Sequence, residues 1–225
     1  MSSNAEGSEY DRLFYPFLFE GGKADREEVL SQVRHSTVQK CQEVIALRQA
    51  ALLNGRDQIV AAGQAMAAAF ARGATLFAFG NGGSNTDAQD LVTELMNPPM
   101  SEWSPLPALA LANDIAVVTA VGNDVGFENI FTRQIIAFGR AGDIAVGIST
   151  SGNSANVLQA LEQAKKQGLL TIGLTGYDGG KMLRSAVVDI CMNAPSDYIP
   201  RIQEAQATIY HALLDVIYTI LKRGD

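Results

Sequence analysis

The 225-residue chain is 47% hydrophobic and 18% charged, a balance that fills a globular core and excludes an intrinsically disordered protein. Its 17 Lys and Arg residues against 24 Asp and Glu give a net charge of −7, with no basic run able to track a nucleic-acid backbone. Cys41 and Cys191 lie far apart without metal-type spacing, no secretory apolar segment opens the chain, and no apolar stretch reaches the roughly 18 residues that span a bilayer. The expectation is a reduced, cytoplasmic protein with one core and no membrane segment.

In chain order, residues 1–24 read as an arm, polar at first and then aromatic at Tyr10, Phe14, Tyr15, Phe17 and Phe19, and residues 25–225 as a single domain. From Asp25 to about Arg48, and again from Gly55 to about Arg72, apolar residues recur at helical spacing, which predicts two long amphipathic helices. Five short apolar runs follow, each ending in Gly, Ser or Asn: 75–83, 106–114, 143–154, 169–180 and 187–195. Helical patterns lie between them, and the alternation predicts a parallel sheet covered on both faces. A last amphipathic helix is expected from about Pro200 to Leu221.

Ligands of such sheets bind outside the carboxyl ends of the strands. Ser149, Thr150, Ser151 and Ser154 put four hydroxyls within six residues just before a helical pattern, which suits an oxyanion. A simple helix cap needs only one of them. The Gly80-Asn81-Gly82-Gly83-Ser84 loop lacks both the P-loop ending and the dinucleotide spacing. It is either a plain tight turn or a place where Asn81 and Ser84 reach sugar hydroxyls.

Asp87, Asp90 and Glu94 fall on one helical stripe. Either the stripe is solvated, or a metal ion, a cationic side chain or a catalytic proton sits opposite. His211 follows Gln203 by eight residues on the last helix, so that both can face one cleft, and His35 carries no assigned role.

GNGGSNTDAQD at 80–90, VGNDVGFENIF at 121–131, GISTSGNSANV at 147–157, LTGYDGGKM at 174–182 and RIQE at 201–204 resemble the sugar isomerase domain family, most closely its phosphoheptose isomerase branch. The resemblance implies a three-layer, doubly wound, flavodoxin-like α/β fold with a five-stranded parallel sheet, and a homotetramer with active sites at subunit boundaries. It implies interconversion of sedoheptulose 7-phosphate and a heptose 7-phosphate. It places the catalytic pair on Glu94 and His211, and sugar-phosphate contacts on Asn81, Gly82, Gly83, Asn123, Asp124, Ser149, Thr150, Ser151, Ser154 and Gln203. A zinc ion would fall to Asp90, Glu94, Gln203 and His211, and no nucleotide cofactor is implied. Asp90 stands where the family's usual ligand is His, Pro200 where an acid is common, and 97–107 carries no basic residue. The competing expectation is a non-catalytic phosphosugar- or protein-binding member, like the replication-initiator-associating protein of this fold.

Overall fold

The computed structural model describes residues 26–223, so the expected aromatic arm lies outside the described residues. The chain divides into two compact units between Gln42 and Glu43. The first described element is a single helix, α1 (Arg26–Phe70), where the sequence predicts two. The misleading signal is Asn54-Gly55. A glycine inside a helix costs about 1 kcal/mol relative to alanine. Burial of Ile59, Ala62 and Met66 just beyond it, in an alanine-rich stretch, offsets that cost.

The elements then alternate: β1 (Leu76–Gly80), α2 (Gly83–Met96), β2 (Ala108–Ala110), α3 (Ile115–Asp124), α4 (Thr132–Phe138), β3 (Ile144–Ser149), α5 (Ala155–Lys166), β4 (Leu170–Gly176), α6 (Gly180–Leu183), β5 (Ile190–Ala194) and α7 (Ile199–Arg223). All four strand pairings are parallel, in the order β2-β1-β3-β4-β5. The five expected strands are all present. Because side chains alternate across a strand, each strand feeds two cores. Leu76, Ala78, Ile144, Val146 and Ile148 pack with residues of α1, α2 and α7 on one face, whereas Phe77, Phe79 and Ala145 pack with Phe131, Ile135 and Leu161 on the other.

The chain moves from β1 outward to β2 and then back across to β3, so the order reverses between β1 and β3. That reversal opens a crevice at the carboxyl ends of these two neighbours. Gly80 ends β1 there, and a Cβ at this position would lie 2.7 Å from the Ser84 carbonyl oxygen and 2.8 Å from that of Ile148. Only glycine lets β1, β3 and the start of α2 come this close.

At the opposite end of the sheet, Asp189 holds Thr171 in place. Its carboxylate accepts from Lys165 Nζ and, at 3.0 Å, from the Thr171 N–H. Partial burial pushes this carboxyl up, but the Lys165 and Thr171 hydrogen bonds outweigh that and hold it below the ordinary carboxylate value. A depressed folded-state value stabilises the fold above the unfolded value and is lost as pH falls through the folded one. Asp189→Asn should therefore flatten the loss of stability that sets in as pH falls below the ordinary aspartate value of about 3.9, read from denaturant midpoints.

Candidate active site

The crevice is bordered by two loops. After β1, Gly82 takes φ +55°, a left-handed conformation open to glycine, and α2 starts without a side-chain cap. After β3, Ser154 stands at the N-cap of α5 yet makes no capping bond. Its hydroxyl instead lies 2.9 Å from that of Ser149. The cap explanation for these serines therefore fails at Ser154. The loop is shaped by its own bonds: the Gly152 N–H donates to the Ser149 carbonyl at 3.0 Å, and the Asn153 side-chain amide donates to the Ser151 carbonyl at 2.8 Å. The first-turn N–H groups of α5 have no carbonyl partner within their helix, so backbone donors and short hydroxyls share one concavity.

The glycine loop is joined to the serine loop by a pair of amides. Asn81 Nδ2 donates to Asn156 Oδ1 at 2.9 Å, and Asn156 Nδ2 donates to Asn81 Oδ1 at 2.8 Å. Asn156 belongs to the GISTSGNSANV stretch but carries no hydroxyl, and its spacing alone does not mark it as a site residue.

The acid stripe of α2 faces α7, and the structure answers what lies opposite. His211 Nε2 lies 3.0 Å from Glu94 Oε1. The Tyr210 hydroxyl donates to Asp90 Oδ2 at 2.6 Å. Burial, the hydrogen bond to Asp90 and the charges of Asp90, Asp87 and Glu94 all push the Tyr210 phenol up, so it remains a donor. Burial and then the Asp90 charge push Asp87 up to about 6. Its Oδ2, like both amide atoms of the fully buried Gln206, has no hydrogen-bond partner. One ligand atom each from Asp90, Glu94 and His211 lies within 4.8 Å of the others. Two carboxylates and one imidazole converging this closely suit a divalent cation such as zinc, and also a shared proton.

Gln203 sits one end further along α7. A Cβ on Gly83 would fall 1.8 Å from its Nε2, so the amide occupies the space that the glycine leaves open. Pro200, in the first turn of α7, removes an N–H that no helical carbonyl would have accepted. Arg201, buried beside it, donates to Glu204 at 3.1 Å and fixes the turn that carries Gln203. Asn123 and Asp124, at the end of α3, are exposed and bonded to each other at 2.6 Å. Among the described hydrogen bonds neither meets the other expected site residues. In the 97–107 segment, Trp103 stacks on Tyr218 at 4.2 Å, and the Tyr218 hydroxyl donates to the Leu95 carbonyl at 3.3 Å.

A doubly wound parallel sheet with a hydroxyl-rich loop at its switch point and an acid–imidazole pair between two flanking helices defines a protein of the sugar isomerase type. The SIS domain family matches residues 41–176. A phosphoheptose isomerase of Geotalea daltonii is 46% identical over 191 residues, covering 85% of this chain and 94% of that protein. Solved phosphoheptose isomerases of Neisseria gonorrhoeae and Francisella tularensis superpose with TM-scores of 0.77 and 0.75, both at 36% identity. They cover 83% and 85% of this chain and 99% and 98% of their own. The chain belongs to the SIS domain family and, within it, to the phosphoheptose isomerases.

Proposed function

We propose that the chain interconverts sedoheptulose 7-phosphate and an aldoheptose 7-phosphate, with the phosphate on the serine loop and proton transfer at Glu94 and His211. Family membership makes the chain an aldose–ketose isomerase. The observation that carries the catalytic assignment is the 3.0 Å contact between His211 Nε2 and Glu94 Oε1. Isomerisation takes a proton from one of the two carbons C1 and C2 and returns one to the other through an enediol, while the proton on oxygen moves the opposite way. Glu94 takes and returns the carbon-bound proton; His211 serves the oxygen. Ser149, Thr150, Ser151 and Ser154 hold the phosphate, and Asn81, Gly82, Gly83 and Gln203 line the approach of the sugar. Asn123 and Asp124 join the site only as part of the wider family pattern.

A zinc ion would be held by Asp90, Glu94 and His211, with Gln203 as a further candidate oxygen donor, and would polarise the sugar carbonyl as a Lewis acid. The test of the reading is incubation of metal-loaded and chelated protein with sedoheptulose 7-phosphate, followed by NMR. Appearance of the aldose supports it; unchanged ketose in both samples sinks it and leaves the non-catalytic binder.

The assembly we infer is a homotetramer. Glu94 lies eleven residues beyond Gly83 on α2, roughly 16 Å along the axis. A phosphosugar anchored at the serine loop therefore reaches Glu94 of the same chain only when extended, which favours a site completed by a second subunit. Ile45, Leu53, Ile115 and Phe138 are each more than half exposed in the single chain, a cost that association would remove. Light scattering should return about four times the 24.0 kDa chain mass, and a monomer at micromolar concentration would sink the shared site. Among the described residues no helix is long and apolar enough to cross a membrane. The two free cysteines support placing the enzyme in the cytoplasm.

A further inference from the structure

The reciprocal amide pair spans the switch point. Asn81 follows β1 and Asn156 lies in the first turn of α5 after β3, 75 residues away in sequence, on strands that are neighbours in space but not in the chain. Asn156 is only 3% exposed, and its Oδ1 accepts from the Val157 N–H at 3.0 Å as well as from Asn81. That backbone N–H fixes which end of the amide is oxygen, since turning it over would set donor against donor. The orientation of Asn156 in turn fixes that of Asn81. Asn81 is half-buried and spends one N–H on the pair, so a second N–H stays available to a ligand.

We propose that Asn156 is a positioning residue that locks the serine loop to the glycine loop and thereby aims the Asn81 amide at the hydroxyls of the bound phosphosugar. The proposal rests on the phosphosugar reading of the site. A single residue then serves both ends of the ligand. The main chain of Asn156 belongs to the first turn of α5, which follows directly on the serine loop, while its side chain holds the group that meets the sugar. Starting the helix needs at most an acceptor for the Val157 N–H, which Asn156 Oδ1 supplies, and does not need the two further bonds to Asn81. A buried amide paired on both sides is needed only if the two loops must keep one register. Left without its partner, the Asn81 amide is free to rotate, and its alignment must be restored on each binding event.

The test is a double-mutant cycle on the full chain with Asn81→Ala, Asn156→Ala and the double variant, reading Kd by calorimetry for sedoheptulose 7-phosphate and for inorganic phosphate. Each single variant should weaken sedoheptulose 7-phosphate roughly tenfold, the scale of one lost hydrogen-bonded group. The double variant should be no worse than about twofold beyond either single one, because both remove the same aimed amide. Inorganic phosphate offers nothing for Asn81 to align on, so its affinity should change less than about threefold. In turnover, KM should rise with kcat little changed.

The NMR signal of the Asn81 side-chain amide gives a ligand-free readout: Asn156→Ala should move it and speed its exchange with solvent. If Asn156→Ala melts below the assay temperature, Asn156→Ser, too short to reach Asn81, takes its place. Losses that multiply in the double variant, an unchanged Kd in Asn156→Ala, or an unmoved Asn81 signal each overturn the proposal. An unaltered chain that binds no sedoheptulose 7-phosphate overturns it too. Binding without turnover overturns only the isomerase reading.

Discussion

Glu94→Gln is expected to lower kcat by roughly 100-fold or more while leaving the Kd for sedoheptulose 7-phosphate nearly unchanged, the signature of a lost proton acceptor. The substitution keeps side-chain length and shape, and Gln retains both a donor and an acceptor toward His211, whose Nε2 lies 3.0 Å from the present carboxylate. What disappears is the capacity to take a proton from carbon. Stability should not fall with activity. Glu94 shares its stripe with Asp87 and Asp90, and its charge adds to the burial that chiefly pushes up the phenols of Tyr210 and Tyr218. Removing one of three like charges relieves that repulsion, so the melting temperature should hold or rise. Melting and turnover measured on the same preparation separate the two effects. A variant that keeps more than a tenth of the unaltered turnover would take the base assignment away from Glu94.

The parts of the fold set by local pattern are legible in the sequence. Five apolar runs ending in turn residues became five parallel strands, because a strand covered by helices on both faces must be apolar on both. The single helix α1 was missed because Asn54-Gly55 is a breaker locally, and only the burial of Ile59, Ala62 and Met66 outweighs it. In the site, legibility follows distance along the chain. The serine cluster and the acid stripe were visible because their members lie within one loop or one helix. Asn156 and Tyr210 were not, since each matters through a partner 75 or 120 residues away. Those partnerships depend on β1 lying beside β3 and on α2 lying against α7, which spacing alone does not reveal. The stripe posed the question of what sits opposite; packing answered it with Tyr210 and His211.

His211→Ala should also cost roughly 100-fold or more in kcat, and because its imidazole is one of three converging donors it should weaken zinc retention as well. Asp90 is the more instructive neighbour. Its Oδ2 accepts from Tyr210, which is 2% exposed, so the carboxylate, standing where the family resemblance leads one to expect histidine, comes with a buried hydroxyl that satisfies it. Asp90→His alone should tighten zinc if this side chain is a ligand, but it also removes the acceptor of the Tyr210 hydroxyl. A buried donor left without a partner costs about 1–3 kcal/mol. The single variant should therefore bind zinc more tightly and melt earlier. Adding Tyr210→Phe deletes the stranded hydroxyl and should recover most of the lost stability while keeping the tighter zinc. In the parent, Tyr210→Phe has the opposite effect, because it frees a carboxylate that the phenol now holds and so loosens the orientation of a metal-facing group. Zinc titrations and melting curves on the four proteins decide the matter. If Asp90→His leaves zinc affinity unchanged, Asp90 stands outside the metal shell, and the Asp90–Tyr210 pair is a structural contact between α2 and α7 that leaves Glu94 and His211 to act without it.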